Sequence, residues 1–225
     1  MRVAVETWCV DLVDLPPPSA PDLCLLSDEE RVRHAGFLIA EPARIFATTR
    51  IALRRLLGRR LGRRPEEVRL EVDVRGKPRA ADAPSAFFNV SHGPTLALIA
   101  FCDDAPVGID VEPHAALVFD ASLAAMVCTP AEAAWLRADA ATADEQFTRL
   151  WTRKEAALKA CGAGLVLPMA ELELSMAFAG QGTAAVAGAG RIVWCDLALP
   201  PGEMGAVAVM SEAVAIDVAL RSYAP

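Results

Sequence analysis

The stretch FTRLWTRKEAALKACGAG, Phe147 to Gly164, constrains this chain most. Phe147, Leu150, Trp151 and Leu158 recur at helical spacing and mark one apolar face. Glu155 stands four residues after Trp151 and three before Leu158, so a helix aims its carboxylate from that same face. Burying a carboxylate is costly unless something positive meets it. A second stretch, GIDVE at Gly108 to Glu112, sets Asp110 and Glu112 two residues apart in an apolar run. A strand points both to one side. Three carboxylates that converge need a cation.

Each group also has a plainer reading. Oxygen ligands without Cys or His favour a hard ion such as Mg2+, which keeps waters and is completed by substrate phosphates. Asp110 and Glu112 otherwise mark a solvated strand end closed by Pro113. Glu155 otherwise forms an exposed pair with Lys159, worth about 0.3–0.5 kcal/mol. Lys154 and Lys159 of the same helix suit phosphate oxygens as point charges. Ser91-His92 is expected to interrupt an apolar strand; neighbouring strand side chains point apart, so the two are not nucleophile and base. Both suit hydrogen bonds to phosphate. Gly76-Lys77-Pro78 reads as a basic turn.

The 225 residues suit one large domain or two small ones, and 54% hydrophobic with 23% charged residues indicates a globular protein. A net charge of −7 argues against nucleic acid as the main partner. Residues 44–79 nevertheless hold 12 of the 22 Lys and Arg against four acidic residues, a local net of +8. That segment is either an anion-binding or acidic-partner surface, or a solvated Arg-rich helix. The six cysteines are dispersed without a CxxC pair, which suggests neither a zinc site nor a disulfide framework. Glu6, Asp11 and Asp14 interrupt the N-terminus before a signal-peptide core forms. No run of about 18 apolar residues spans a membrane. A soluble, cytoplasmic protein is expected.

Along the chain, a first strand over Met1–Val13 precedes a capping box, Ser27 with Glu30, that opens a helix to about Phe37. Pro42 is expected to start a long Arg-rich helix over 43–61, closed by Leu61-Gly62. Strands are expected over Val68–Val74, Phe87–Val90, Thr95–Phe101 and Val107–Val111. Thr129-Pro130-Ala131-Glu132 resembles a helix start, and the Phe147 helix ends at Gly162 or Gly164. Leu172–Phe178, Arg191–Leu197 and Gly205–Met210 read as strands, and the Ala/Gly-biased 184–190 reads as loop. The order strand, helices, strands occurs twice. It predicts an α+β pseudo-dimer of two similar subdomains, 1–105 and 106–225, with a cleft between them. Each subdomain is a small, mainly antiparallel sheet packed with helices.

GKP (76–78), FNVSHG (88–93), VGIDVE (107–112) and LWTRKEAALKACGAGL (150–165), in that order, resemble the larger, single-chain class of 4'-phosphopantetheinyl transferases, the surfactin-synthetase-activating type. The resemblance covers about residues 27 to 210. It implies transfer of the phosphopantetheine arm of coenzyme A to a serine of an acyl or peptidyl carrier protein, with release of adenosine 3',5'-bisphosphate. By motif position it makes Asp110, Glu112 and Glu155 the Mg2+ ligands and sets Lys159 against the pyrophosphate. Lys77 with Pro78, and His92 with Ser91, would contact the nucleotide. Arg33, Arg44 and Arg50 are candidates for the 3'-phosphate, and Glu132 matches an acidic position that assists catalysis. The serine proton would go to Glu155 or to a metal-bound water. The +8 segment is the candidate surface for anionic coenzyme A and for the carrier, and a monomer is expected. The rival readings are a Mg2+-dependent nucleotide pyrophosphohydrolase and a non-catalytic carrier- or coenzyme-binding module.

Overall fold

Strict alternation along the strands builds the molecule in four layers. The computed structural model describes residues 1–72, 76–162, 167–174, 180–186, 188 and 190–225. In chain order the elements are β1 (Arg2–Asp11), α1 (Ala20–Leu23), α2 (Asp28–Ala35), α3 (Ala40–Leu61), β2 (Leu70–Val72), β3 (Pro78–Ala80), β4 (Phe87–His92) and β5 (Leu96–Cys102). There follow β6 (Val107–Pro113), α4 (Ala121–Val127), α5 (Pro130–Ala138), α6 (Ala143–Cys161), β7 (Gln181–Val186), β8 (Gly190–Asp196), β9 (Glu203–Met210) and β10 (Ala215–Ser222). One sheet has the order β10-β1-β5-β4 and the other β6-β9-β8-β7, with β2 and β3 as a separate ribbon. All pairings are antiparallel except β1 with β10. The α+β class, with small, mainly antiparallel sheets backed by helices, is the class the sequence predicts.

Even-numbered β5 residues Leu96, Leu98 and Ala100 pack with Val3, Val5, Val107, Ile109, Val111, Val207 and Val209 in a core between the two sheets. Odd-numbered Ala97, Ile99 and Phe101 face the other way, against Leu53, Leu56 and Leu57 of α3. In the second sheet, Ile192, Trp194, Ala206 and Ala208 turn outward onto Phe147, Leu150, Ala156 and Ala160 of α6. Each Val, Leu, Ile or Phe among them contributes roughly 1.5–3 kcal/mol when fully buried. With Val107, Ile109 and Val111 facing the central core, Gly108, Asp110 and Glu112 must face α6.

Gly108 allows the helix to come close. A Cβ there would lie 2.0 Å from the Ala156 carbonyl oxygen and 2.3 Å from the Ala160 nitrogen. The last strand crosses back: β10 pairs in parallel with β1, Val3 opposite Ile216, and completes the first sheet. It shares the central core through Ala213 and Ile216.

Several local expectations shift. α3 begins at Ala40, so Pro42 sits in its first turn, where a missing N–H costs no intrahelical bond. Ser91 and His92 do not interrupt a strand but complete β4. Residues 184–186, expected as loop, belong to β7, because small side chains pair with β8 where Gly182 lies under the Trp194 ring. Leu172–Leu174 follows a short 3-10 helix, Met169–Glu171, and is not a strand. Residues 175–178 of that expected strand, residues 73–74 of the Val68–Val74 strand, Arg75 and Gly164 lie outside the described residues. Gly162 ends α6 in the left-handed conformation, φ 60°. α1, α4, β3 and β10 have no counterpart among the elements expected from the sequence, where Gly76-Lys77-Pro78 reads as a turn. No helix among the described residues is long and apolar enough to cross a membrane.

Gly108→Ala should therefore push α6 off the sheet. The expected loss is about 3 kcal/mol, the upper range for overpacking, and roughly 6–12 °C in melting midpoint for a chain of this size. Circular dichroism melts check it, and an unchanged midpoint would refute the close approach.

Candidate active site

Three segments meet beside Asp110. The Asp110 side chain is 5% exposed and its Oδ1 accepts from Lys159 Nζ of α6 at 2.6 Å and from Ser91 Oγ of β4 at 2.8 Å. Lys159 Nζ also donates to Ser91 Oγ at 3.1 Å, so the hydroxyl relays between ammonium and carboxylate. Asp110 Oδ2 is buried without a partner. An orphaned buried carboxylate oxygen in a native fold calls for an explanation. Asn89 fixes the approach of the strands: its Oδ1 accepts from the Ile109 backbone N–H at 3.0 Å. An amide inside an apolar strand is the sequence signal for this role of Asn89.

Glu112 and Glu155 share this neighbourhood. Burial raises the Glu112 pKa, Asp110 raises it further, Lys159 opposes the rise, and Glu155 and Glu203 add to it. Burial also raises Glu155, with Lys159 opposing and Asp110 reinforcing. The carboxylates thus disfavour one another's charge, and Lys159 is the cation that offsets them. Among the described residues, no three His, Cys, Asp or Glu side chains stand close enough together to hold a metal ion as they are arranged. The donor set is nevertheless all hard oxygen, with one buried oxygen unpaired, which fits an open site for a divalent cation completed by water and ligand.

His92 ends β4 next to Ser91. Burial holds its pKa below the ordinary histidine value; the Gly93 backbone opposes this, and the charges of Lys159 and Arg33 reinforce it. Arg33 and Arg50 lie over one ring, 4.8 Å and 5.9 Å from the Phe46 centroid. Burial lowers the Arg50 pKa, and Glu30, 3.9 Å away, partly compensates. Arg44 is committed elsewhere, to Glu41 at 2.6 Å. Lys77 donates to the backbone carbonyls of Val107 at 2.9 Å and Lys159 at 2.6 Å. It thereby fastens the turn before Pro78, where β3 begins, to the start of β6 and the end of α6.

Three expected roles meet side chains that the fold engages elsewhere. Lys154 does not reach toward phosphate: it is fully buried, and its ammonium bonds Val127 O at 2.7 Å, Glu132 Oε2 at 2.5 Å and Met169 O at 2.8 Å. Glu132, expected to assist catalysis, is fully engaged within the fold. It is 1% exposed, and besides Lys154 it accepts from the backbone N–H groups of Thr129 at 2.8 Å and Leu174 at 2.9 Å. The +8 segment is largely neutralised in the fold. Arg54 meets Glu30, Arg55 meets Asp22, Arg60 meets Glu6 and Asp103, and Arg63 and Arg69 share Asp82.

Residues 106–200 match the 4'-phosphopantetheinyl transferase superfamily. The chain is 36% identical over 180 residues to the 4'-phosphopantetheinyl transferase HetI of Nostoc sp., covering 76% of this chain and 74% of that protein. It is 28% identical over 160 residues to the 4'-phosphopantetheinyl transferase Sfp of Bacillus subtilis, covering 71% and 70%. Over 161 residues it is 32% identical to the L-aminoadipate-semialdehyde dehydrogenase-phosphopantetheinyl transferase of Schizosaccharomyces pombe, covering 64% and 62%.

The Lys154–Glu132 pair generates a stability prediction. Lys154→Met leaves a buried carboxylate unpaired and should cost about 3–5 kcal/mol. Adding Glu132→Leu removes the orphaned charge and should recover part of that loss. Urea titrations of the two single variants and the double variant check both signs, and a neutral Lys154→Met would contradict the pairing.

Proposed function

Since the chain belongs to the 4'-phosphopantetheinyl transferase superfamily and is a phosphopantetheinyl transferase, we propose that it moves the 4'-phosphopantetheine arm of coenzyme A onto a serine of an apo carrier protein. The observation that carries this reading is the Asp110–Ser91–Lys159 junction with its unpartnered Oδ2 and two glutamates of raised proton affinity. Asp110, Glu112 and Glu155 would hold Mg2+, which when bound neutralises the pyrophosphate charge as a Lewis acid. Lys159 faces the same phosphates as a point charge. Arg33 and Arg50, brought together on Phe46, suit the 3'-phosphate better than Arg44, whose guanidinium is held by Glu41. His92 and Ser91 border the nucleotide. The backbone-bound Lys77 and the adjoining Pro78 shape that border.

In the reaction the carrier serine oxygen bonds to the phosphorus bearing the pantetheine arm. The bond from that phosphorus to the bridging oxygen breaks, and adenosine 3',5'-bisphosphate leaves with the electron pair. The serine proton needs an acceptor within hydrogen-bond reach. Glu155 suits that task, because desolvation raises its proton affinity while Lys159 keeps it ionisable.

The test is mass spectrometry of purified apo carriers incubated with the protein, coenzyme A and Mg2+. One phosphopantetheine should be added per carrier. Glu155→Gln and Asp110→Asn should slow labelling by about a hundred- to a thousandfold with unchanged circular dichroism. No labelling of any carrier in an acyl and peptidyl panel would overturn the proposal. Release of phosphopantetheine from coenzyme A without a carrier would instead indicate a pyrophosphohydrolase.

A further inference from the structure

The β4–β5 hairpin carries Ser91 and His92 and turns at residues 93–95, closed by Gly93 N–H to Leu96 O at 2.9 Å. Its tip packs over the end of β6, where a Cβ on Gly93 would lie 3.8 Å from Pro113 Cδ. Beyond Pro113 the Thr95 hydroxyl donates to Glu203 Oε1. Glu203 opens β9 in register with Pro113, and the preceding residue's carbonyl, Gly202 O, accepts from His114 N–H at 2.8 Å. One carboxylate thus stands where the hairpin, the end of β6 and the turn into β9 meet. Its other oxygen, Glu203 Oε2, is buried without a partner. Leaving such an oxygen unpaired is destabilising, and a neutral side chain would fill the position without that cost.

We propose that the Thr95–Glu203 contact is a clasp that holds the nucleotide-facing end of β4 against the carboxylate-bearing strand β6, with Glu203 as a positioning residue. The inference rests on the reading of Ser91 and His92 as coenzyme A contacts. The clasp is the side-chain tie between the hairpin tip and the second sheet, whereas Ser91–Asp110 is the tie inside the site. Opening the clasp leaves Asp110, Glu112 and Glu155 on β6 and α6 undisturbed. It frees His92, next to the hairpin tip, to drift from the ligand, while Ser91 stays held by Asp110 and Lys159. Coenzyme A binding should therefore suffer and the chemical step should not. Glu203 also adds to the negative field that raises the proton affinity of Glu112, so it lies close to the cleft.

Thr95→Val is an isosteric test on an exposed residue whose backbone oxygen remains fixed by Leu12 N–H at 2.8 Å. In the full chain, Thr95→Val and Glu203→Ala should each weaken coenzyme A binding about five- to twentyfold, as expected for one charge-assisted hydrogen bond. Calorimetry with coenzyme A alone reads the dissociation constant. Steady-state labelling should show a matching rise in KM for coenzyme A, with kcat within about twofold and carrier KM unchanged. Thr95→Ser, which keeps the bond, should behave like wild type, and Glu203→Gln, which keeps it without the charge, should fall between wild type and Glu203→Ala. The double variant Thr95→Val/Glu203→Ala should be no worse than the weaker single variant. An unchanged dissociation constant in Thr95→Val, additive single effects, or a fall in kcat alone would overturn the clasp. Wild-type protein that binds coenzyme A but labels no carrier would overturn the transferase reading instead, and the calorimetric comparison would still decide the clasp.

Discussion

The Lys154–Glu132 ion pair ties together more of the second half than any hydrophobic contact could specify. Lys154 reaches the end of α4 through Val127, α5 through Glu132 and the segment after α6 through Met169. Glu132 caps α5 through Thr129 and catches Leu174 with its other oxygen. Burial lowers the Lys154 pKa while Glu132 opposes the fall, and every donor and acceptor of the pair has found a partner. Apolar packing of Phe147 and Leu150 would allow α6 some slippage; a buried ammonium with three fixed acceptors does not. That registration fixes where the next residue, Glu155, and Lys159 beyond it stand relative to β6.

A second constraint acts across the helix–sheet contact. Gly108 lets the α6 backbone descend onto β6, and the pleat then turns Asp110 and Glu112 toward that same helix. Lys77 seals the arrangement by bonding Val107 O on the strand and Lys159 O on the helix. Across the cleft, Asn89 and Ser91 point from β4 to Ile109 and Asp110. Asn89 and Ser91 are therefore tolerated in β4 because each meets a partner on the facing edge. Two sheets that share only an apolar core acquire a defined register at this one edge.

Local chemistry was legible in the chain and distant pairing was not. Ser27–Glu30 and Thr129–Glu132 announced helix starts because a capping box is complete within four residues. The inward faces of Glu155, Asp110 and Glu112 followed from periods of 3.6 and 2. β10 escaped notice because its partner, β1, lies at the other end of the chain. α4 escaped because seven largely small residues carry no periodic signal, although Asp120 caps them. Glu132 read as an available acid because its cation is 22 residues away. The same blindness made the Arg-rich segment look like an exposed basic surface. Acids that meet it come from Glu6, Asp22, Glu30, Glu41, Asp82 and Asp103, all outside that segment.

α6 carries two lysine–carboxylate pairs little more than one turn apart, and their contrast separates scaffold from site. Lys154 and Glu132 are closed: the ammonium has three acceptors and the carboxylate has backbone donors on both oxygens. Lys159 and Asp110 are open: the pair shares Ser91, one Asp110 oxygen lacks a partner, and two glutamates press on the same charge. A closed buried pair has nothing to gain from a ligand, since any arriving group must displace an existing bond. An open one gains electrostatic stabilisation from a cation or a polyphosphate, because its unpaired oxygen and surplus charge are already desolvated. Burial alone would have ranked Lys154 and Glu132 as the more perturbed and more interesting pair. Counting unsatisfied groups reverses that ranking and leaves Lys159 and Asp110 as the pair with capacity for a ligand.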